Sequence, residues 1–322
     1  MKSLKEPWIK MCEQIENEDY KLIKELQEQC IDFDKTALKL EIDYKLSTNS
    51  KSSYRTGIKK VNEFMYFDEN NLLGYIGICS FGEKETSLEI MGMVHPQYRQ
   101  QGIFSSLFEL VLTECKKRNP KKILLLSDRK STNGLKFIKN RNAIHSHSEF
   151  EMYLQKTLLE REPNSLCGVT LRREEKRDKE EISRQDNIYF GNCIEDEEIG
   201  EENDFVNVDA ETSLQEHNGM QEIEDRNTEI TFLAEKANQI VGKVRIETSS
   251  NIGGIYGLGV LPEHRGKGFG RGILLNAINK LRETEVKEIM LQVETENETA
   301  LGLYKSCGFH ETSIMDYYEL KI

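Results

Sequence analysis

Hydrophobic and polar positions alternate along this chain in a pattern that occurs twice. In the first half, Glu63–Asp68, Leu72–Ser80 and Ser87–Val94 are apolar runs bounded by turn residues and read as strands. Ile103, Leu107, Phe108, Val111, Leu112 and Cys115 then fall on one helical face. A buried strand over Lys122–Ser127 follows. The second half repeats the order: strands over Ile230–Glu235, Gln239–Glu247 and Ile255–Val260, then a helix with Phe269, Ile273, Leu274, Ala277, Ile278 and Leu281 inward, then a strand over Glu288–Glu294. Asp68-Glu69-Asn70-Asn71 and Lys236-Ala237-Asn238 predict hairpin turns. A second short helix and a terminal hairpin are expected to close each half. The expected fold class is α/β with a mixed sheet, in two domains of residues 1–160 and 161–322. Their boundary lies in the polar, proline-containing stretch Glu160-Arg161-Glu162-Pro163-Asn164-Ser165.

The repeat is sharpest at two prolines. Met93–Phe108 reads MVHPQYRQQGIFSSLF and Gly259–Leu274 reads GVLPEHRGKGFGRGIL, offset by 166 residues. Both have a strand end, Val-x-Pro, an Arg three residues on, a Gly three further on, and a helix. Self-similarity at one fixed offset marks a duplicated unit.

Composition narrows the class. The chain has 322 residues, 37% hydrophobic, and a formal net charge of -12. Residues 1–160 carry 25 basic and 23 acidic side chains, whereas Glu195–Arg226 alone holds 13 acids and one base. Nucleic acid and anionic membrane surfaces are therefore not expected partners, because both call for a basic face. No apolar run is long enough for a spanning helix, and the N-terminal stretch lacks the apolar core of a signal peptide. The seven cysteines show no metal-ligand spacing, so reduced thiols, a cytoplasmic location and no metal site are expected.

The chemistry concentrates in Arg265-Gly266-Lys267-Gly268-Phe269-Gly270-Arg271, between a strand and a helix. Glycines permit tight turning and close approach of a ligand. The first N–H groups of a helix lack partners and carry partial positive charge, which suits a pyrophosphate. No GK[ST] follows, so this is not a Walker loop, and the hairpin context is wrong for a dinucleotide fingerprint.

Val260-x-Pro262-x-x-Arg265-Gly266-x-Gly268-x-Gly270 resembles the acetyl-CoA loop of the GNAT N-acetyltransferases. Val293-x-x-x-Asn297-x-x-Ala300-x-x-Leu303-Tyr304-x-x-x-Gly308-Phe309 resembles a second segment of that family, in the right order. The likeness covers most of residues 167–322, with a degraded copy over about 36–156, a tandem layout similar to that of mycothiol synthase-like proteins. It implies acetyl-CoA as cofactor. It implies that Leu258 and Val260 line the pantetheine arm, that Gly266 to Arg271 hold the pyrophosphate, and that Asn297 reaches the cofactor. It implies Tyr304 as the acid that protonates the leaving thiolate, with direct attack by an amine and no covalent intermediate. For the base that deprotonates the amine, Glu294 comes first and Glu247 second. Asn297 also reads as a helix N-cap, Tyr304 as a core residue and Glu294 as a plain strand end.

The first half departs from the pattern. Phe104 stands where Gly270 stands, Ile138 replaces Tyr304 and Ser131 replaces Asn297. Val94, Arg99 and Gly102 remain as cofactor-binding candidates there, with a structural role or a wall of the substrate site expected for the rest. The acidic stretch reads either as a lip drawing a cationic amine or as a solvated insertion, with Phe205, Val206, Val208, Leu214, Met220 and Ile223 marking an amphipathic helix inside it. The expected partner is a small-molecule or peptide amine, with oligomeric state unassigned. The rival reading is a non-catalytic acyl-CoA-binding or partner-binding module on the same fold.

Overall fold

A computed structural model describes residues 3–48, 60–80, 87–159, 168–190, 228–249 and 251–321. Both the domain boundary at 160/161 and the acidic stretch fall outside these residues. The first half runs β1 (Pro7–Cys12), α1 (Asn17–Asp34), α2 (Ile42–Thr48), β2 (Glu63–Asp68), β3 (Asn71–Cys79), β4 (Ser87–Val94), α3 (Ile103–Arg118), β5 (Lys122–Asp128), α4 (Thr132–Asn140), β6 (Ile144–Leu154) and α5 (Lys156–Leu159). The second runs β7 (Thr170–Arg173), α6 (Lys179–Phe190), β8 (Thr228–Lys236), β9 (Gln239–Ser249), β10 (Ile252–Val260), α7 (Phe269–Arg282), β11 (Glu288–Glu294), α8 (Glu298–Ser306) and β12 (Phe309–Glu319). The strands anticipated from the apolar runs are present within a few residues at either end. Ala237 and Asn238, at φ of 49° and 63°, form the tight turn between β8 and β9.

Among the described residues the twelve strands join one mixed sheet in the order β1-β2-β3-β4-β5-β12-β6-β11-β10-β9-β8-β7. The terminal hairpins expected for each half are not what closes them. Each half ends in one long strand, and the two are exchanged: β12 lies between β5 and β6, and β6 lies between β12 and β11. Met315 pairs with Glu149 at the centre, so the sheet's pseudo-twofold axis passes through this pair. Met315 and Tyr317 consequently pack in the first half's core, beside Met91, Met93, Leu124 and Leu126. Phe150, Met152 and Leu154 pack in the second half's core. Arg129, Ser148 and Asp316 lock the junction, with the Ser148 hydroxyl donating to Asp316 at 2.7 Å and Arg129 Nη2 at 2.6 Å.

The helices take opposite faces because strand side chains alternate. On one face α3 covers Ile76, Leu88 and Ile123, and α7 covers Val244, Ile255 and Ile289. The other face is covered over the first half by α1 and α2. There the Tyr75 hydroxyl donates to buried Glu63, which Lys45 Nζ of α2 approaches to 3.0 Å. A Cβ at Gly77 would run into Lys45 Nζ and the Tyr75 hydroxyl, so a side chain at 77 would displace the pair that seats α2.

Candidate active site

Two parallel strand pairs open into wedges at equivalent places. β10 pairs with β11 from Ile252↔Glu288 to Ile255↔Leu291 and then parts from it. β4 pairs with β5 from Ser87↔Lys122 to Ile90↔Leu125 and parts likewise. In the second half the parting coincides with a bulge. Gly257 adopts φ 55°, and the register against β9 shifts between Tyr256 and Gly259. The β11 side of Tyr256–Val260 is therefore left without a strand partner, with Leu258 and Val260 within this free segment. The first half has no such bulge in its β3–β4 pairing.

Each wedge leads into a turn and a helix start. Arg265 Nε donates to the Val260 carbonyl at 3.0 Å, and Arg99 Nε donates to the Val94 carbonyl at 3.0 Å. These two arginines pin the same corner. Gly268 and Gly102 are the N-caps of α7 and α3, at φ of 80° and 83°. Gly266 is at φ 74°, and Gln100 holds the equivalent position at φ 60°, a conformation glycine adopts more easily. The first helical bond of α7 runs from the Gly272 N–H to the Gly268 carbonyl, so the N–H groups of Phe269, Gly270 and Arg271 have no helical acceptor.

The two turns differ in charge and filling. Arg99 is held by Asp34 through two hydrogen bonds, Nη1 at 2.7 Å and Nη2 at 2.5 Å. Arg265 makes no carboxylate ion pair among the described residues. Lys267 Nζ donates to the Glu263 carbonyl, and Arg271 Nη2 donates to the Ser306 hydroxyl at 2.7 Å, so Arg271 ties α7 to the end of α8. Phe104 packs edge-on against Phe137, with ring centroids 4.7 Å apart, whereas Gly270 puts no side chain at the equivalent place, next to Leu303 and Val260.

The remaining candidates divide between local structure and chemistry. The Asn297 side chain accepts from the Ala300 N–H at 3.1 Å, and Ser131 accepts from the Gly134 N–H at 3.3 Å, so both are N-caps. Tyr304 is buried, its hydroxyl makes no hydrogen bond to a described residue, and burial pushes its pKa up to about 12. Its counterpart Ile138 is buried without a polar atom. Glu294 is exposed at the end of β11, opposite Glu149 of β6. Glu247 lies across from Gly254 of β10, and burial, then Glu229 and Glu41, raise its pKa.

Two features were not anticipated from sequence. A cavity of about 840 Å³ occupies the first half's wedge, lined by Cys30, Met91, Met93, Phe104, Ser127 and Phe137 among others. In the second half the Tyr189 ring of α6 lies against Gly259, where a Cβ would collide with it. Tyr189 sits in no motif and a cavity has no local signal, so only the packing reveals them.

The chain belongs to the acetyltransferase (GNAT) family. The family model matches residues 35–139 and again residues 172–309, once in each half. It is similar to a GCN5-related N-acetyltransferase from Sphaerobacter thermophilus, with a TM-score of 0.67 at 16% identity over 97% of this chain and 95% of that one. It is also similar to a tandem GNAT protein from the clavulanic acid biosynthesis pathway, with a TM-score of 0.65 at 11% identity over 98% of both chains. These two likenesses concern the fold. In sequence it resembles mycothiol acetyltransferase of Thermobispora bispora, 40% identical over 85 residues, 24% of this chain and 29% of that protein. That of Streptomyces griseus is 31% identical over 105 residues, 30% of this chain and 34% of that protein. The match thus spans about a third or less of these relatives' length.

Proposed function

We propose that this protein is an acetyl-CoA-dependent N-acetyltransferase that transfers an acetyl group to a primary amine in its second half. The observation that carries this is the bulged, unpaired segment Tyr256–Val260, leading straight into a glycine turn with free helical N–H groups. Strand-edge backbone of this kind pairs with an amide-bearing arm, and the N–H groups of Phe269, Gly270 and Arg271 suit a pyrophosphate, with Arg265 and Lys267 adding positive charge. Asn297 stays a cap and borders the cofactor from α8. Bound acetyl-CoA supplies the activated acyl group.

The residues of the chain then handle protons. Tyr304, with its pKa up to about 12, keeps its hydroxyl proton at neutral pH and donates it to the departing sulfur. The amine needs a base. Glu247 fits this better than Glu294, because its raised pKa moves it toward the working range whereas Glu294 is solvated at a strand end. With Glu247 as base, kcat/KM rises with pH through its pKa; Glu247→Gln loses most of the rate and that limb, whereas Glu294→Gln keeps both. The reverse result reinstates Glu294.

The relatives' name supports a small-molecule acceptor. The first half keeps Val94, Arg99 and Gly102 and the large cavity but has no hydroxyl at 138, which supports binding there without transfer. Titration calorimetry with acetyl-CoA, followed by thiol release over a panel of amines, tests the proposal. Binding with acceptor-dependent release is the expected result. Binding without release would favour a non-catalytic module, and no binding would end both readings.

A further inference from the structure

Helices α1 and α6 are entered through the same device. Glu16 and Asp19 cap α1 reciprocally, each side chain accepting from the other's backbone N–H, and Glu175 and Asp178 do so in the turn that leads into α6. Counting from these caps, Gln185 and Tyr189 of α6 stand where Leu26 and Cys30 stand in α1. When the two Val-x-Pro corners are aligned, Gly259 of β10 stands where Met93 stands in β4. Leu26, Cys30 and Met93 are buried together in the first half's core. The second half has replaced all three.

The replacements fit one another. Gly259 presents no side chain to α6, and the Tyr189 ring takes that place; the three atoms nearest to an added Cβ all belong to this ring. The ring is held from behind. Burial raises the Tyr189 pKa, so its hydroxyl keeps its proton and donates to Gln185 Oε1 at 2.8 Å. Gln185 Nε2 donates to Glu181 at 2.7 Å, and Arg184 grips Glu181 through two hydrogen bonds of 2.8 Å. Gln185 is fully buried, and a buried amide is costly unless its groups are bonded. Leu26, also buried, shows that an apolar side chain suits this place in the helix. Packing alone therefore does not call for an amide at 185, whereas holding the Tyr189 hydroxyl does. Lys243, the residue of β9 paired with Gly259, reaches Asp186 at 2.5 Å and ties the same helix to the neighbouring strand.

We propose that Tyr189, held by Gln185, is the positioning residue for the free segment of β10: its ring backs Gly259 and keeps the backbone of Leu258 and Val260 presented to the pantetheine arm of acetyl-CoA. This rests on the function proposed above. β11 gives β10 no partner past Ile255↔Leu291, while Leu258 and Val260 pack into the core that α7 covers. A strand edge without a partner keeps its shape by what packs on its two faces. Tyr189 supplies the second face from the helix side. In the first half Met93 supplies it from the strand, and there it lines the wedge cavity.

The test measures KM for acetyl-CoA on the full-length chain, with CoA and 3′-phospho-ADP (CoA without its pantetheine arm) as inhibitors of turnover, so that only the active wedge is read. Amide hydrogen exchange over residues 256–261 is followed without ligand. Tyr189→Ala is expected to raise KM for acetyl-CoA and Ki for CoA about tenfold, with kcat and Ki for 3′-phospho-ADP within about twofold. Exchange at Leu258 and Val260 should quicken about fivefold or more, with residues 90–94 of β4 unchanged. Gln185→Leu copies Leu26 and releases the ring, and is expected to show the same pattern at about threefold. An unchanged KM in Tyr189→Ala overturns the inference, and so does an equal loss for CoA and 3′-phospho-ADP. Should Tyr189→Ala not fold, Gln185→Leu decides, and wild-type values in it overturn the inference. If the wild type turns over no amine, the proposed function fails, and exchange at Leu258 and Val260 decides whether Tyr189 holds the segment.

Discussion

On β4 of the first half, Glu89 faces Cys79 across the strand pair; at the same place in the second half, Gly254 faces Glu247. Both halves thus present one carboxylate below the wedge, but from different strands. The reason lies next door. A Cβ at Gly254 would collide with the Tyr256 ring, so position 254 has no room for a side chain while Tyr256 is in place. The bulge at Gly257 enters the same comparison. Ile90 pairs with Leu125 and Ile255 with Leu291, so β10 has gained one residue relative to β4 by the time the two halves reach their glycine turns. The second half has the bulge, the open turn at Gly270 and the Tyr304 hydroxyl. The first has an unbulged strand, Phe104 and Ile138, and a cavity of about 840 Å³. Duplication left two wedges, and only the second keeps a glycine at the helix start and a tyrosine hydroxyl, the groups that the proposed transfer uses.

The sharpest way to break this contrast is Tyr304→Phe, expected to lower kcat by about 10²–10⁴-fold, the usual worth of a positioned proton donor, with KM for acetyl-CoA little changed. Ile138→Tyr should create no second activity, because Phe104 still fills the first turn. Retention of rate within twofold in Tyr304→Phe would remove the distinction between the halves.

Glu89 offers a test through stability. Burial, partly offset by Lys39, raises its pKa to about 7 from an ordinary 4.5. Between those values the folded chain holds a proton that the unfolded chain has released, so stability falls as pH rises through the window. Glu89→Gln should match the wild type near pH 4 and exceed it near pH 8 by on the order of 2–3 kcal/mol, read from urea midpoints. No gain at pH 8 would mean that Glu89 has found a partner that neutralises its burial.

Gly270→Phe copies the first turn into the second. A Cβ there would meet Leu303 at 3.4 Å and Val260 at 3.6 Å, so the backbone tolerates it while the ring fills the space Phe104 fills in the first half. Acetyl-CoA affinity should fall about tenfold or more, roughly 1.4 kcal/mol, by calorimetry. Affinity equal to wild type would show that the loop residue does not separate the halves. The smallest effects belong to the caps. Asn297→Ala and Ser131→Ala should each cost about 1 kcal/mol in thermal unfolding, and only Asn297→Ala should also raise KM for acetyl-CoA.

Much of this could be read before any coordinates. The strands β2, β3 and β4, their counterparts β8, β9 and β10, and helices α3 and α7 follow from local periodicity, since each buries one face by its own spacing. The loop from Arg265 to Arg271 and the Asn297–Tyr304 spacing are local too, because a turn and a helix start need particular backbone angles. Which of the two candidate carboxylates is enclosed was not legible in this way. Glu294 and Glu247 look alike as residues at strand ends, and only the tertiary structure, which sets Glu247 half-buried opposite Gly254 and Glu294 exposed opposite Glu149, separates them.

The chain's pattern by itself determined two copies of one unit, where each turn and helix begins, and which copy keeps a tyrosine hydroxyl. These depend on interactions within a few residues. The exchange of β6 and β12, the pseudo-twofold axis at Glu149 and Met315, and the seating of Tyr189 against Gly259 were decided only by the tertiary structure. Strand partners far apart in sequence are selected by the fit of whole faces, and no local signal carries that information.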